Sequence, residues 1–333
     1  MPELRRDPIV GRWVVIDNNH LKGPQDFPKE DNTPTRAAVC PFCPGREWQT
    51  PPETDAIRPL PGKADTSGWL VRTVPNKFPA LSSDIAIDKE ALGIYDLMSG
   101  SGAHEVVIEH PDHAKSLADL SQEETTAVLS QYQGRYAQLA KNKNFKYVLI
   151  FKNFGASAGA SLEHPHSQVI ALPMVPKSVL GEIKGAEHYH QAQGRCVFCD
   201  MIEQEYHDQG RIVAENNAFI AFCPFASRYA FETWIIPKAH SADFVSTTGG
   251  DLSQLAALLH DVLNRLKKAL NNPSYNYYLH TAPINYPSAS CYHWHIEIIP
   301  KLTRSVGFEW GTGLHIVPTV PQDAARFLRE AKY

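Results

Sequence analysis

Apolar and polar residues change places with two periods along this chain. Alternation at every second residue marks short strands over 8–16, 69–74, 105–110 and 146–152. Between them, Val128, Leu129, Tyr132, Tyr136 and Leu139 recur at helical spacing within 120–141. A further strand carries Ser161-Leu-Glu-His164-Pro-His166-Ser-Gln168 into the apolar run Val169–Pro173. Residues two apart on a strand share a face, so His164, His166 and Gln168 are expected on one side and Ser167 and Val169 on the other. The same succession then returns. Strands are expected over 212–215, 218–222 and 231–240, and a helix bears Leu252, Leu255, Leu258, Leu259, Val262, Leu263 and Leu266 on one face. Strands over 275–280 and 293–300 follow. Each half therefore runs through a Cys-x-x-Cys pair, a histidine, a helix, a strand and a His-x-His strand, and His113 stands about as far from His164 as His240 does from His293.

This order predicts an α+β fold made of duplicated units, each an antiparallel sheet with a packed helix. The halves are expected at 1–185 and 186–333, joined near 180–195, and the Pro-rich stretch up to about residue 39 is expected to be an irregular arm. A length of 333 residues suits one large domain or two of ordinary size. A net charge of -4 with 20% charged residues offers nothing to nucleic acid or an anionic membrane. Residues 1–8 lack the apolar centre of a signal peptide, and no apolar run is long enough for a membrane span. A soluble, cytoplasmic protein is expected.

Four of the six cysteines form the pairs Cys40/Cys43 and Cys196/Cys199, which in a reducing compartment read as metal ligands. Tetrahedral zinc needs four nitrogen or sulfur ligands. His164 is the third ligand expected at the first pair; the fourth is His104, His110 or His113, and the repeat favours His113. The second set is then Cys196, Cys199, His240 and His293. Four protein ligands close a site, so two structural zinc ions per chain are expected. A redox dithiol is disfavoured because neither pair is expected at the start of a helix following a strand. Cys223 and Cys291 read as plain thiols.

With His164 given to metal, His166 is left free on the same face. A neutral imidazole attacks phosphorus if its second nitrogen holds a proton on a fixed acceptor, and the His164–Pro165 carbonyl is a candidate for that acceptor. Gln168 can donate to a phosphate oxygen without adding negative charge. The small residues of 155–160 let backbone N–H groups approach an anion. The second half carries Glu297 where the first has Gln168, and a carboxylate repels phosphate. Only the first half is therefore expected to be catalytic, with His280 and His295 structural or late metal ligands.

The segment Phe151-Lys-Asn153-x-Gly155…Gly159-Ala-Ser161-x-x-His164-Pro-His166-x-Gln168 resembles the active-site motif of galactose-1-phosphate uridylyltransferases, within the histidine-triad superfamily. The resemblance covers nearly the whole chain. It implies a double displacement of galactose metabolism: His166 takes a uridylyl group from UDP-glucose, releases glucose 1-phosphate, and passes the group to galactose 1-phosphate. It also implies that Asn153, Ser161 and Gln168 hold the phosphates, that Gly159 belongs to the substrate-binding set, that Asn76 lies at the nucleotide, and that the enzyme is a homodimer. Histidine-triad hydrolases carry a third histidine where this chain has Gln168, which points to transfer. Two departures stand out. Many relatives carry an Ala-Arg-Ala-Lys-Arg-Pro type segment where this chain has Asn19-His-Leu-Lys22-Gly-Pro24. The Cys196/Cys199 pair and Gly311-Thr-Gly313 resemble a branch that includes plant-type ADP-glucose phosphorylase, which moves an adenylyl group by the same chemistry. A zinc-stabilised nucleotide binder without catalysis is the reading from another class.

Overall fold

The computed structural model describes residues 1–30, 32–34, 39–286 and 291–331. Its strands are β1 (Glu3–Arg6), β2 (Trp13–Ile16), β3 (Asp55–Ile57), β4 (Val71–Pro75), β5 (Lys89–Leu92), β6 (Tyr95–Met98), β7 (Ala103–Ile108), β8 (Tyr147–Phe154), β9 (His166–Leu172), β10 (Ile212–Glu215), β11 (Phe219–Phe222), β12 (Thr233–Pro237), β13 (Tyr275–His280), β14 (His295–Pro300) and β15 (His315–Val317). Its helices are α1 (Gln122–Leu139), α2 (Lys177–Gln193), α3 (Val197–Asp208), α4 (Gly249–Ala269), α5 (Gly307–Thr312) and α6 (Pro321–Glu330).

Ten strands form one antiparallel sheet in the order β10-β11-β12-β14-β13-β8-β9-β7-β4-β3. Read outward from its centre, β8-β9-β7-β4-β3 mirrors β13-β14-β12-β11-β10, so the repeat seen in the sequence is a repeat in space. Each half has its antiparallel sheet and its packed helix, but the two sheets are not separate. They join edge to edge where Tyr275–Leu279 pairs with Phe154–Ile150. Joining them leaves neither β8 nor β13 with unpaired backbone groups along that edge.

Helices α1 and α4 lie side by side on one face of the sheet. Ser121 caps α1 by accepting from the Glu124 N–H, and Thr248 caps α4 by accepting from the Asp251 N–H. Their apolar stripes, Val128, Leu129, Tyr132, Tyr136 and Leu139 against Leu252, Leu255, Leu259, Val262, Leu263 and Leu266, merge with Val107, Ile150, Val169, Ile296 and Ile298 into one core. Each such side chain stabilises the fold by about 1.5–3 kcal/mol on burial. The opposite face of the sheet carries the histidines.

Several elements differ from expectation. The expected strand over 8–16 begins only at Trp13: the Asp7 carboxylate accepts from the Ile9 and Val10 N–H groups, and Gly11 turns the chain at φ +71. His164 and His293 stand just before β9 and β14, and His240 lies three residues beyond β12. The join near 180–195 is mostly helix, because α2 buries Val179, Ile183 and Ala186 against Trp234, Ile236 and Tyr292. Cys196 is the N-cap of α3, so this pair opens a helix, but α2 and not a strand precedes it, and the strand-to-helix start of a redox motif is absent at this pair as expected. The irregular arm is found over its described part; residues 31 and 35–38 lie outside the described residues.

Candidate active site and metal centres

The His-Pro-His segment is gripped from two sides. The Glu109 N–H donates to the Pro165 carbonyl at 3.0 Å, and Lys152 Nζ donates to the His166 carbonyl at 3.0 Å. His166 Nδ1 lies 2.8 Å from the His164 carbonyl oxygen, the acceptor expected from the sequence. A carbonyl only accepts, so the proton sits on Nδ1 and the lone pair on Nε2. Burial, with the Lys152 ammonium adding to it, lowers the pKa of His166 and keeps the ring neutral.

The His166 ring borders two cavities. One, of about 760 Å³, is lined by Phe42, Trp48, Asn76, Phe78, Val106, Ser161 and Gln168 among others. The other, of about 230 Å³, is lined by Asn153, Gly155, Ser161 and His164 among others. Of the residues expected to serve substrate, Asn76 and Gln168 face the first cavity, Asn153 the second and Ser161 both. Gly159 lines neither; at φ +85 it ends the turn Ala156–Ala158 behind Asn153, a conformation L side chains avoid. Trp48 and Phe78 are exposed where they line the larger cavity.

Sequence reasoning missed three positions. Asn276 Nδ2 donates to Asn153 Oδ1 at 2.8 Å and to the Ala158 carbonyl at 2.9 Å, tying the two halves together at the site. Glu109 and Lys152 form an ion pair of 2.5 Å behind the nucleophile. Asn276 had a signal, since it alternates with Tyr278 and His280 on one strand. Glu109 and Lys152 had none, because only the fold makes two distant charges neighbours.

The first metal set converges as expected. Cys40, Cys43, His113 and His164 offer ligand atoms all within 4.8 Å of one another. Cys43 Sγ lies 3.7 Å from Nδ1 of both His113 and His164, and these nitrogens are 3.2 Å apart. Tetrahedral zinc, with bonds of about 2.0–2.1 Å to nitrogen and about 2.3 Å to sulfur, has N···N edges of about 3.3 Å and N···S edges of about 3.5 Å. His164 Nε2 donates to the His110 carbonyl at 2.8 Å, which leaves Nδ1 unprotonated toward the cluster. Of the other candidates for the fourth ligand, His110 pairs with Glu124 at 3.0 Å and His104 with Gln168 at 2.7 Å. The second set repeats the arrangement: Cys199 Sγ is 3.5 Å from His240 Nδ1 and 3.7 Å from His293 Nδ1, and His293 Nε2 donates to the Pro237 carbonyl at 2.9 Å. Burial lowers His164 to about 4 and His293 to about 3, the neutral state a ligand needs. Burial and the neighbouring cysteine raise Cys43 to about 11 and Cys199 to about 12, so a cation is what would ionise these thiols at neutral pH. Cys223 is buried against Thr233 and is not part of either set.

In the second half, His295 Nδ1 meets the His293 carbonyl at 3.0 Å, as His166 meets His164. There the likeness ends. The His295 ring is fully buried, stacked on Trp234 at 4.6 Å and on His280 at 4.7 Å. His280 Nδ1 pairs with Glu182 of α2 at 3.0 Å, and Arg228 pairs with both Glu232 and Glu297. Glu182, His280 and His295 are also close enough to share an ion.

Comparison with known proteins agrees with this geometry. A sequence model of the galactose-1-phosphate uridyl transferase N-terminal domain matches residues 1–176, and one of the C-terminal domain matches residues 182–326. An ADP-glucose phosphorylase of Arabidopsis thaliana is 36% identical over 335 residues, covering 99% of this chain and 93% of its own. The galactose-1-phosphate uridylyltransferase of Thermotoga maritima is 28% identical over 341 residues, covering 100% of this chain and 99% of its own. Among solved structures, an ADP-glucose phosphorylase from Arabidopsis thaliana with bound ADP-glucose superposes with a TM-score of 0.84 at 36% identity, covering 100% of this chain and 99% of that one. A uridylyltransferase superposes with a TM-score of 0.78 at 29% identity, covering 99% and 98%. The chain belongs to the galactose-1-phosphate uridylyltransferase family and is a nucleotidyltransferase.

Proposed function

We propose that this protein moves a nucleotidyl group from a nucleoside-diphosphate hexose to a phosphate acceptor by double displacement through His166. The observation that carries the reading is the His166 tautomer, with Nδ1–H held at 2.8 Å by the His164 carbonyl and Nε2 left as the nucleophile at the junction of two cavities. Nε2 attacks the α-phosphorus, the bond from that phosphorus to the bridging oxygen breaks, and hexose 1-phosphate leaves with the electron pair. A phosphate oxygen of the acceptor then attacks the same phosphorus and the P–N bond breaks, restoring His166. Asn153, Ser161 and Gln168 hold the phosphates, Gly159 shapes the turn that supports Asn153, and Asn76 lies on the nucleoside side with Phe42, Trp48 and Phe78.

UDP-glucose:hexose-1-phosphate uridylyl transfer, with galactose 1-phosphate as acceptor, is the reaction for which the family is named. Adenylyl transfer from ADP-glucose is the second reading. It is favoured by the 36% identity to an ADP-glucose phosphorylase against 28% to the Thermotoga maritima uridylyltransferase. Intact-mass spectrometry decides between them. The protein is mixed with UDP-glucose or ADP-glucose and no acceptor, and a gain of one UMP or one AMP on the His164–His166 peptide names the donor. No adduct from either, with both bound, refutes covalent transfer and leaves a nucleotide binder.

The two Cys₂His₂ sets fit zinc in donor chemistry and in edge lengths. Zinc there would hold the Cys40–Cys43 loop, whose Phe42 packs edge-on to His166 at 5.5 Å, and the start of α3. With four protein ligands each ion is structural, and no step of the reaction needs it. The halves 1–185 and 186–333 are taken as the products of duplication, supported by the separate matches of the two domain models. A homodimer is proposed from the exposed apolar residues Leu92, Ile94, Tyr95 and Leu97 of the β5–β6 hairpin, together with Phe308 and Trp310 of α5. A cytoplasmic setting is supported by six cysteines without a disulfide, and among the described residues no helix is long and apolar enough to cross a membrane.

A further inference from the structure

We propose that His104, which is not a zinc ligand, is the positioning residue that fixes the orientation of the Gln168 amide at the reacting phosphate. The inference rests on the nucleotidyl-transfer reading above. His104 lies on β7, two residues from Val106, and Val106 is the register partner of Gln168. The His104 imidazole is fixed through both nitrogens. The Ala80 N–H donates to Nδ1 at 3.1 Å, and Nε2 lies 2.7 Å from Gln168 Oε1. A backbone amide can only donate, so Nδ1 is the unprotonated nitrogen and the proton of the neutral ring is on Nε2. Gln168 Oε1 is its acceptor. The Asn76 side-chain nitrogen also stands 3.0 Å from Nε2, but it cannot turn over to offer its oxygen instead, because Asn76 Oδ1 already accepts from the Phe78 N–H at 2.9 Å.

With Oε1 held by His104, the Gln168 amide has one orientation left, and its NH₂ is the group left to the cavity that Gln168 and His166 both line. That NH₂ meets a phosphoryl oxygen as a donor. Without His104 the amide is free to present its oxygen instead, setting lone pairs against a phosphoryl oxygen. The same imidazole also holds the 76–80 turn, whose Asn76 N–H donates to the His104 carbonyl at 2.8 Å. Asn76 and Phe78 of that turn face the nucleoside part of the cavity, so His104 links the nucleoside side to the phosphate side.

The test is a double-mutant cycle read by rapid-quench measurement of nucleotidyl-His166 formation, with whichever of UDP-glucose and ADP-glucose labels the wild type. His104→Phe is expected to slow the covalent step roughly 10- to 100-fold. In a Gln168→Ala background the same change should cost several-fold less than in the wild type at saturating donor, because its target at the phosphate is gone and what remains is its hold on the 76–80 turn. Losses that multiply would show that His104 acts elsewhere and overturn the proposal. A wild type that forms no adduct refutes the reading of function, not this one. The geometry has its own readout: nitrogen NMR of wild-type protein labelled at histidine should show His104 as the Nε2–H tautomer. An Nδ1–H tautomer would overturn the proposal even if His104→Phe failed to fold.

Discussion

Replacing Lys152 by Met tests how the nucleophile strand is held. Lys152 and Glu109 are 1% and 0% exposed and form an ion pair of 2.5 Å on the face of the sheet opposite His166 and Gln168. Lys152 also donates to the His166 carbonyl at 3.0 Å, and Glu109 accepts from Tyr132 at 3.0 Å and from Ser167. The pair contributes little net stability over an apolar equivalent, but removing one member leaves a desolvated charge, at a cost of about 3–5 kcal/mol. Glu109 would keep two hydroxyl donors, which places Lys152→Met near the lower end, at about 3 kcal/mol. Adding Glu109→Gln removes the stranded charge and should recover more than half of that loss, a coupling expected only of groups in contact. Urea unfolding of zinc-loaded protein, followed by tryptophan fluorescence and extrapolated linearly to water, measures the two single variants and the double variant. A single variant within about 1 kcal/mol of wild type, or a double variant whose loss is the sum of the two single losses, would refute the account of a buried pair.

Other predictions follow from the metal sets, the asymmetry of the halves and the buried histidines. Elemental analysis of protein purified without chelator should give two zinc ions per chain, Cys40→Ser should lose one and lower the melting temperature, and finding no metal would refute both sets. His166→Asn should retain fold and metal content but reduce turnover by several powers of ten, whereas His295→Asn should retain most of it; equal losses would refute the asymmetry. In chelator-stripped protein, stability should fall as pH drops from about 6.5 toward 4, because burial holds His164 at about 4 and His293 at about 3 while the unfolded chain takes up protons. Against burial, which alone would lower it, Glu182 and Glu297 push His280 up to about 9, so its contribution is complete below 6.5 and is lost as pH rises through 9. Stability that climbed steadily from pH 7 down to pH 4 in urea titrations would contradict the assignment of His164 and His293.

What the sequence showed best was what one element shows alone. The strand β13 and the core stripes of α1 and α4 were legible because their apolar periods stand out. The metal sets were legible because the repeat gave each uncertain histidine a counterpart, and His113 was chosen over His104 and His110 on that ground. The tautomer of His166 was legible because its acceptor is two residues away. What could not be read depends on contacts between distant segments. Nothing in the sequence sets β8 beside β13, and the fusion of two sheets into one brings Asn276 to Asn153. Helix α2 was read as a join because Glu182, His188 and His190 blur its apolar face, and only the packing of Val179, Ile183 and Ala186 identifies it. The part played by His104 depends on the Ala80 N–H, which a reading of motifs does not consider.

On the proposed reading, the same helix accounts for why one half would work and the other would not. Both His-x-His segments use the same devices, since the first histidine donates to a carbonyl and gives its other nitrogen to the cysteines, while the second donates to the carbonyl of the first. The sequence attributed the difference to Glu297 repelling phosphate. The structure adds a more basic cause, because phosphate cannot reach His295. Helix α2 lies against that side of the sheet, Glu182 enters beside His280, and the His295 ring is closed between His280 and Trp234. Once α2 had covered this surface, a carboxylate at 297 carried no catalytic penalty, and Arg228 and His280 keep it ionised against the burial that would otherwise neutralise it. In the first half the corresponding surface remains open as the larger cavity, and there a carboxylate at 168 would meet the phosphate directly. On that reading Gln168 matters where the site is open, and Glu297 is tolerated where it is shut.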